Sequence, residues 1–197
     1  MKLKHRNLAV FSLTFLLVVG VVTFVYIDYL ATPYLLNLSA QSVIQKGLGG
    51  GPIPVNTLYT EPNLPSPNST SLLLQEGANR DTLYTVGVLD LSAQPDVLHV
   101  PDMGSRYYSV QLVDTRGDDF AYVGSRTTGT LAGNFLISGP GWHGTVPNGA
   151  TQIASPDNRV FLIGRVLVQN DSDVSTAYAL SEQIHLTPLS QSQPGVG

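Results

Sequence analysis

The stretch Arg159–Gln169, RVFLIGRVLVQ, decides the fold class. Val160, Leu162, Val166 and Val168 fall on one face of an extended chain, with Gly164 between them, which is the period-2 pattern of a strand. Phe161, Ile163 and Leu167 share the other face with Arg165. Upstream, Arg106–Asp114 (RYYSVQLVD) alternates more cleanly, with Tyr108, Val110 and Leu112 opposed to Tyr107, Ser109 and Gln111, as in a half-buried antiparallel strand. Thr82–Leu91 puts Leu83, Leu89 and Leu91 on one face and Tyr84, Val86 and Val88 on the other; both are apolar, as for a central strand. Asp96–Val100, Phe120–Val123, Gly133–Ser138 and Thr151–Ala154 are shorter candidates between Gly and Pro. After these strands a helix is expected at about Ser172 to Leu186, with Asp171, Ser172 and Asp173 as caps and dipole partners. Many short strands with regular turns predict an all-β, antiparallel β-sandwich or jelly-roll-like domain with a C-terminal helix.

Before that domain, Leu8–Ile27 (LAVFSLTFLLVVGVVTFVYI) runs 20 residues without a formal charge. At 1.5 Å per residue it spans roughly 30 Å, a bilayer hydrocarbon core. Lys2, Lys4 and Arg6 precede it and Asp28 follows, so the positive-inside rule puts the N-terminus in the cytoplasm and the domain outside. The apolar run is longer than a signal peptide's, and Tyr29-Leu30-Ala31 is bulky where a cleavage site needs small residues. An uncleaved single-pass anchor is therefore expected. Thr32 reads as an N-cap and Pro33 as N1 of a short helix to about Lys46, with Gly47 at C′. Gly47–Ser71, dense in Gly, Pro, Asn and Ser, reads by itself as a linker.

The chain is 197 residues long and carries no cysteine, which excludes disulfides, thiol nucleophiles and Cys-ligated metals. Residues 1–46 hold four Lys or Arg and one Asp, a balance of +3; the remainder holds six Arg, no Lys and thirteen carboxylates, a balance of −7. A segment of that sign lacks the clustered cations nucleic acid needs, so none is expected as partner. With no Lys beyond Lys46, Schiff-base chemistry in the domain is excluded. His5, His99, His143 and His185 have no metal-motif spacing, and neither a metal nor a cofactor is expected.

NRDTLYT (Asn79–Thr85), LDLS (Leu89–Ser92), PDVLHVP (Pro95–Pro101), RYYSVQLVD, YVGSRTTG (Tyr122–Gly129), GPGWHGTVPNG (Gly139–Gly149) and SPDNRVFLIGRV (Ser155–Val166) occur in an order that resembles family 1254 of the domains of unknown function. The similarity covers most of Asn56 to Leu189. The linker's VNTLY also resembles the family's upstream Asn segment, so part of it is expected to pack on the domain. The resemblance implies a mostly antiparallel β-sandwich and no established reaction. Many relatives carry a second β-rich domain, family 1214, which is expected to be absent here unless another chain supplies it. The organisation is then a tail (1–7), an anchor (8–27), a membrane-proximal helix and linker (28–55), the domain (56–189) and a C-terminal tail (190–197).

Candidate chemistry is sparse. The Asn79-Arg80-Asp81 cluster closes an Asx-turn or faces a ligand, and turn chemistry favours the first. Arg165, mid-strand on an apolar face, needs a carboxylate, carbonyls or an anionic ligand; a structural ion pair with Asp81, Asp90 or Asp114 is favoured over a ligand, and Arg106 poses the same choice. Trp142, in a Gly-rich loop beside His143, either stacks on a sugar ring or an apolar ligand or caps the core. Asn79, Asp81, Tyr84, Arg106, Trp142 and Arg165 are thus the candidate ligand-binding residues. Asn37, Asn68 and Asn170 begin glycosylation sequons. The leading expectation is a membrane-tethered extracytoplasmic binding or interaction module for a small molecule or glycan. The alternatives are a carbohydrate or ester hydrolase using carboxylates such as Asp81 or Asp114, and a structural envelope component acting by self-association.

Overall fold

The computed structural model describes residues 2–48, 50–69, 74 and 78–192. Nine strands follow in chain order: β1 (Leu58–Thr60), β2 (Thr82–Asp90), β3 (Asp96–Val100), β4 (Tyr108–Val113), β5 (Asp119–Gly124), β6 (Gly133–Ser138), β7 (Ala150–Ala154), β8 (Arg159–Leu167) and β9 (His185–Pro188). They form a five-stranded sheet in the order β1-β2-β8-β4-β5 and a four-stranded sheet in the order β7-β6-β3-β9. The first sheet is antiparallel throughout. In the second, β6 and β7 run parallel, joined by the Gly139–Gly149 loop.

The expected apolar faces meet between the sheets. Leu83, Val110, Leu162 and Val166 from one sheet pack with Leu98, Val100, Phe135 and Ile137 from the other. Leu83, Leu98 and Leu162 are essentially sealed from water, each adding about 2 kcal/mol of hydrophobic stabilisation. β8 alternates strictly between buried and half-buried residues, whereas β2 is buried on both sides. That pattern fits a strand with the core on one side and a second layer on the other.

The second layer comes from the segment read as a linker. Leu48, Ile53 and Leu74 pack on Tyr84 and Val86 of the five-stranded sheet's outer face. Asn56, at φ +60°, uses its side-chain amide to accept from the Asp90 N–H and donate to the Asp90 carbonyl. This left-handed conformation is one Asn tolerates better than most residues. Leu48 and Ile53 thus lie against the five-stranded sheet, and β1 lies within it.

The N-terminal helices depart from expectation. α1 (Lys2–Tyr26) passes through a π-helical turn, Ile27–Ala31, directly into α2 (Thr32–Lys46). Thr32 is not a cap: the preceding Ala31 is helical, no side chain caps it, and the Thr32 N–H donates to the Ile27 carbonyl one position further back than in an α-helix. Pro33 lacks an N–H and would press on the carbonyl four residues earlier, so the wider turn lets the helix continue past it. The apolar run within this helix is long and apolar enough to cross a membrane, and its most apolar window buries nothing against the domain. α2 ends at Gly47, φ +64°, whose N–H bonds the Val43 carbonyl.

The C-terminal helix is shorter than expected. A 3-10 turn, Asp171–Asp173, leads into α3 (Val174–Ser181), and the chain then extends as β9 along β3 before a final turn, α4 (Leu189–Ser192). The cap is Asn170, whose side-chain oxygen accepts from the Ser172 N–H, while Asp173 is engaged elsewhere. His185–Pro188 becomes a strand because the free edge of β3 offers backbone partners there, a tertiary effect that local propensity does not encode.

Candidate functional site

The five-stranded sheet's outer face is only partly covered. Near the Asp90–Arg159 pairing α2 lies over it, and Arg159 donates to the Asn37 side-chain oxygen at 2.8 Å. Further along, strand register sets Tyr84, Arg165, Ser109 and Gly124 side by side across β2, β8, β4 and β5. The next row is Val86, Ile163, Gln111 and Tyr122. Ser109 and Gly124 are the small members of these rows, and an open cleft of about 470 Å³ forms around them. Gly124 has a backbone reason to be there: a Cβ would lie 2.7 Å from the Tyr108 carbonyl oxygen and 2.9 Å from the Ser109 Cα.

Arg165 is the centre of this cleft. Its Nε donates to the Tyr84 hydroxyl at 3.4 Å, one terminal nitrogen donates to Gln111 Oε1 at 2.8 Å, and its charge lies 5.3 Å from the Tyr84 ring centre. No carboxylate reaches it within ion-pair distance among the described residues. A guanidinium has five N–H donors, so about three are left without an acceptor among the described residues. The nearest compensation is relayed: Gln111 donates to Asp119 at 2.5 Å, and Asp119 also accepts from Tyr122. That hydrogen bond, more than burial, pushes the Tyr122 hydroxyl above the usual tyrosine range. Tyr84 is itself constrained, because its oxygen accepts from both Arg165 and the Asn79 backbone N–H. Both lone pairs are thereby used, leaving the O–H proton available.

A second cation belongs to the cleft. Arg126 is exposed, 5.6 Å from the Tyr107 ring centre, with no acidic partner among the described residues. Among the described residues the lining thus holds two arginines, four tyrosines and no carboxylate. Its chemistry is that of an anion site with aromatic walls.

Of the sequence candidates, Asn79, Tyr84 and Arg165 come together here. Asp81 stays in the exposed turn opening β2, where its carbonyl accepts from the Val168 N–H. Arg106 is fully engaged: it forms a two-bond ion pair with Asp173 at 2.6 and 2.7 Å and donates to the Leu167 carbonyl. Trp142 is half-buried in the β6–β7 loop and does not line the cleft. Asp114 is buried and accepts from the Arg116 and Asp118 N–H groups, closing the β4–β5 turn. Asn68 and Asn170 are exposed and Asn37 is half-buried in α2. Sequence reasoning missed Arg126, Tyr107, Gln111 and Tyr122. The polar face Tyr107, Ser109 and Gln111 of RYYSVQLVD was the available signal.

The model of the family "Protein of unknown function (DUF1254)" matches residues 55–188. The chain belongs to this family. Among solved structures, the VPA0106 protein of Vibrio parahaemolyticus is similar at 27% identity and a TM-score of 0.63, over 83% of this chain and 37% of that one. An uncharacterised protein from Burkholderia cenocepacia aligns at 16% identity and a TM-score of 0.40, over 68% of this chain and 34% of its own. This DUF1254 chain therefore spans about a third of the length of these solved relatives. No curated protein matches it.

Proposed function

We propose that this DUF1254 chain is a membrane-tethered, extracytoplasmic binding module whose cleft takes a cyclic carboxylate. Arg165 carries the reading: a half-buried guanidinium on a sheet face, unneutralised by any described carboxylate, with tyrosine rings on either side. A buried cation without a counter-charge is costly, and a carboxylate laid across its remaining N–H groups would remove that cost with two parallel bonds. Tyr84 and Tyr122 supply apolar walls for the ring that bears the carboxylate, and Arg126 adds attraction at the mouth. The volume is in the usual range for small-molecule sites. The candidate carboxylates for hydrolysis, Asp81 and Asp114, do not line the cleft.

The test is calorimetric titration of the full chain in detergent with benzoate and, separately, galacturonate, which distinguishes an aromatic from a sugar ring. Saturable binding of one of them is expected, weakened about tenfold or more in Arg165→Gln, the loss of one charge-assisted pair. Arg116→Gln, in the β4–β5 turn, should bind as the parent does. No binding of either probe, or binding indifferent to Arg165→Gln in a folded protein, refutes the cleft's role. Topology has its own check, since the chain has no natural cysteine. Ser192→Cys should react with a membrane-impermeant maleimide on intact cells, and labelling only after lysis would overturn the extracytoplasmic placement.

A further inference from the structure

The opposite side of the molecule carries a second constellation. On the outer face of the four-stranded sheet, His99 of β3 and His185 of β9 are directly paired across the antiparallel ladder. Their ring centres are 4.9 Å apart and the planes are inclined by 40°. A cross-strand ring pair would by itself contribute only packing. What adds chemistry is the partner on the inner nitrogen of each ring. His185 Nδ1 lies 2.9 Å from the Gln183 backbone carbonyl, and His99 Nδ1 lies 2.9 Å from the Asn134 side-chain oxygen. Both partners only accept, so both Nδ1 atoms carry a proton, and in the neutral form of each ring Nε2 holds the lone pair. Neither Nε2 has a partner among the described residues.

From these observations we propose that His99 and His185 form a two-imidazole site for a divalent transition-metal ion such as zinc, nickel or copper. A metal–nitrogen bond of about 2.05 Å puts a ring centre about 3.2 Å from the ion. Two such rings 4.9 Å apart subtend about 100° at it, between the octahedral and tetrahedral values. The backbone carbonyl and the Asn134 amide do what outer partners do at histidine metal sites: they fix the tautomer and orient the ring. No cluster of three or more metal-ligating side chains exists among the described residues, so water completes the coordination. Histidines so distant in sequence have no motif spacing; only the β3–β9 register joins them.

The experiment is titration of the full chain in detergent with zinc chloride alone, followed by calorimetry. One saturable site is expected, reversed by a chelator and lost in both His99→Gln and His185→Gln. Asn134→Ala, which touches no metal, should weaken binding about tenfold or more by freeing the His99 tautomer. His143→Gln should change nothing. A readout free of any variant is nickel-induced broadening in the proton spectrum of the parent protein, which should strike the His99 and His185 ring signals together at substoichiometric metal. Absence of saturable uptake at millimolar zinc, uptake surviving the double variant, or broadening confined to other histidines would each overturn the proposal.

Discussion

Asp96 offers the sharpest energetic test of the fold. Its side chain points into the core from β3, is fully excluded from solvent, and neither carboxyl oxygen has a hydrogen-bond partner among the described residues. Burial alone pushes its pKa to about 6 from an ordinary value of 3.8. The unfolded carboxyl therefore ionises near pH 4, while the folded one keeps its proton until about pH 6. Between those values the unfolded state binds fewer protons, so stability falls as pH rises and is lowest above the folded pKa. Just over two pKa units at about 1.4 kcal/mol each gives a loss of roughly 3 kcal/mol across that window. The carboxylates held low, Asp90 by its bonds from Ser92 and Asp173 by Arg106, titrate below it and do not mask the slope. Urea unfolding of the full chain in detergent, followed by circular dichroism at pH 4, 5, 6 and 7.5, measures the effect. Asp96→Asn should flatten the profile, and Asp96→Val should also exceed the parent's stability at pH 7.5 by about 3 kcal/mol. A parent profile that is flat or rises from pH 4 to 6, or an Asp96→Val protein weaker than the parent at pH 7.5, would refute the assignment.

Other expectations follow from particular contacts. Arg106→Ala should lower the melting temperature sharply, and the deficit should persist down to about pH 4, then shrink as Asp173, held at about 2 by Arg106, takes up protons. A melting series from pH 7 to 2 reads it. Gly124→Ala should cost about 1–3 kcal/mol in urea unfolding, because the added methyl meets the β4 backbone rather than a yielding side chain. Ile53→Ala should cost about 2–4 kcal/mol and expose the chain beside it to limited proteolysis by loosening the layer over β2.

The elements visible in sequence were those that announce themselves locally. Arg159–Leu167 and Tyr108–Val113 show alternation, so their faces and the sandwich core could be read directly. β1 and β9 are three and four residues long and carry no such pattern; each exists because a neighbouring edge supplies its hydrogen bonds. The site divides the same way. Arg165 was conspicuous as a charge on an apolar strand, yet its bonds to Tyr84 and Gln111 join residues far apart in the chain, which only register can connect. Trp142 drew attention by scarcity, and Arg126, in a turn between strands, drew none.

The π-turn has a mechanical consequence. A coil between the apolar helix and the domain would let the domain wander through a wide volume and average its orientation. Here the helix with the apolar span runs without a break into α2, and α2 is bonded to the very sheet face that bears the cleft. Spin of the shaft about its own axis therefore turns the cleft with it. The 15 residues of α2 set a reach of about 22 Å from the end of the preceding helix. With the tether proposed above, a molecule carried in or near the bilayer would meet the arginines at a fixed height and bearing, so encounter would be a two-dimensional search rather than a three-dimensional one.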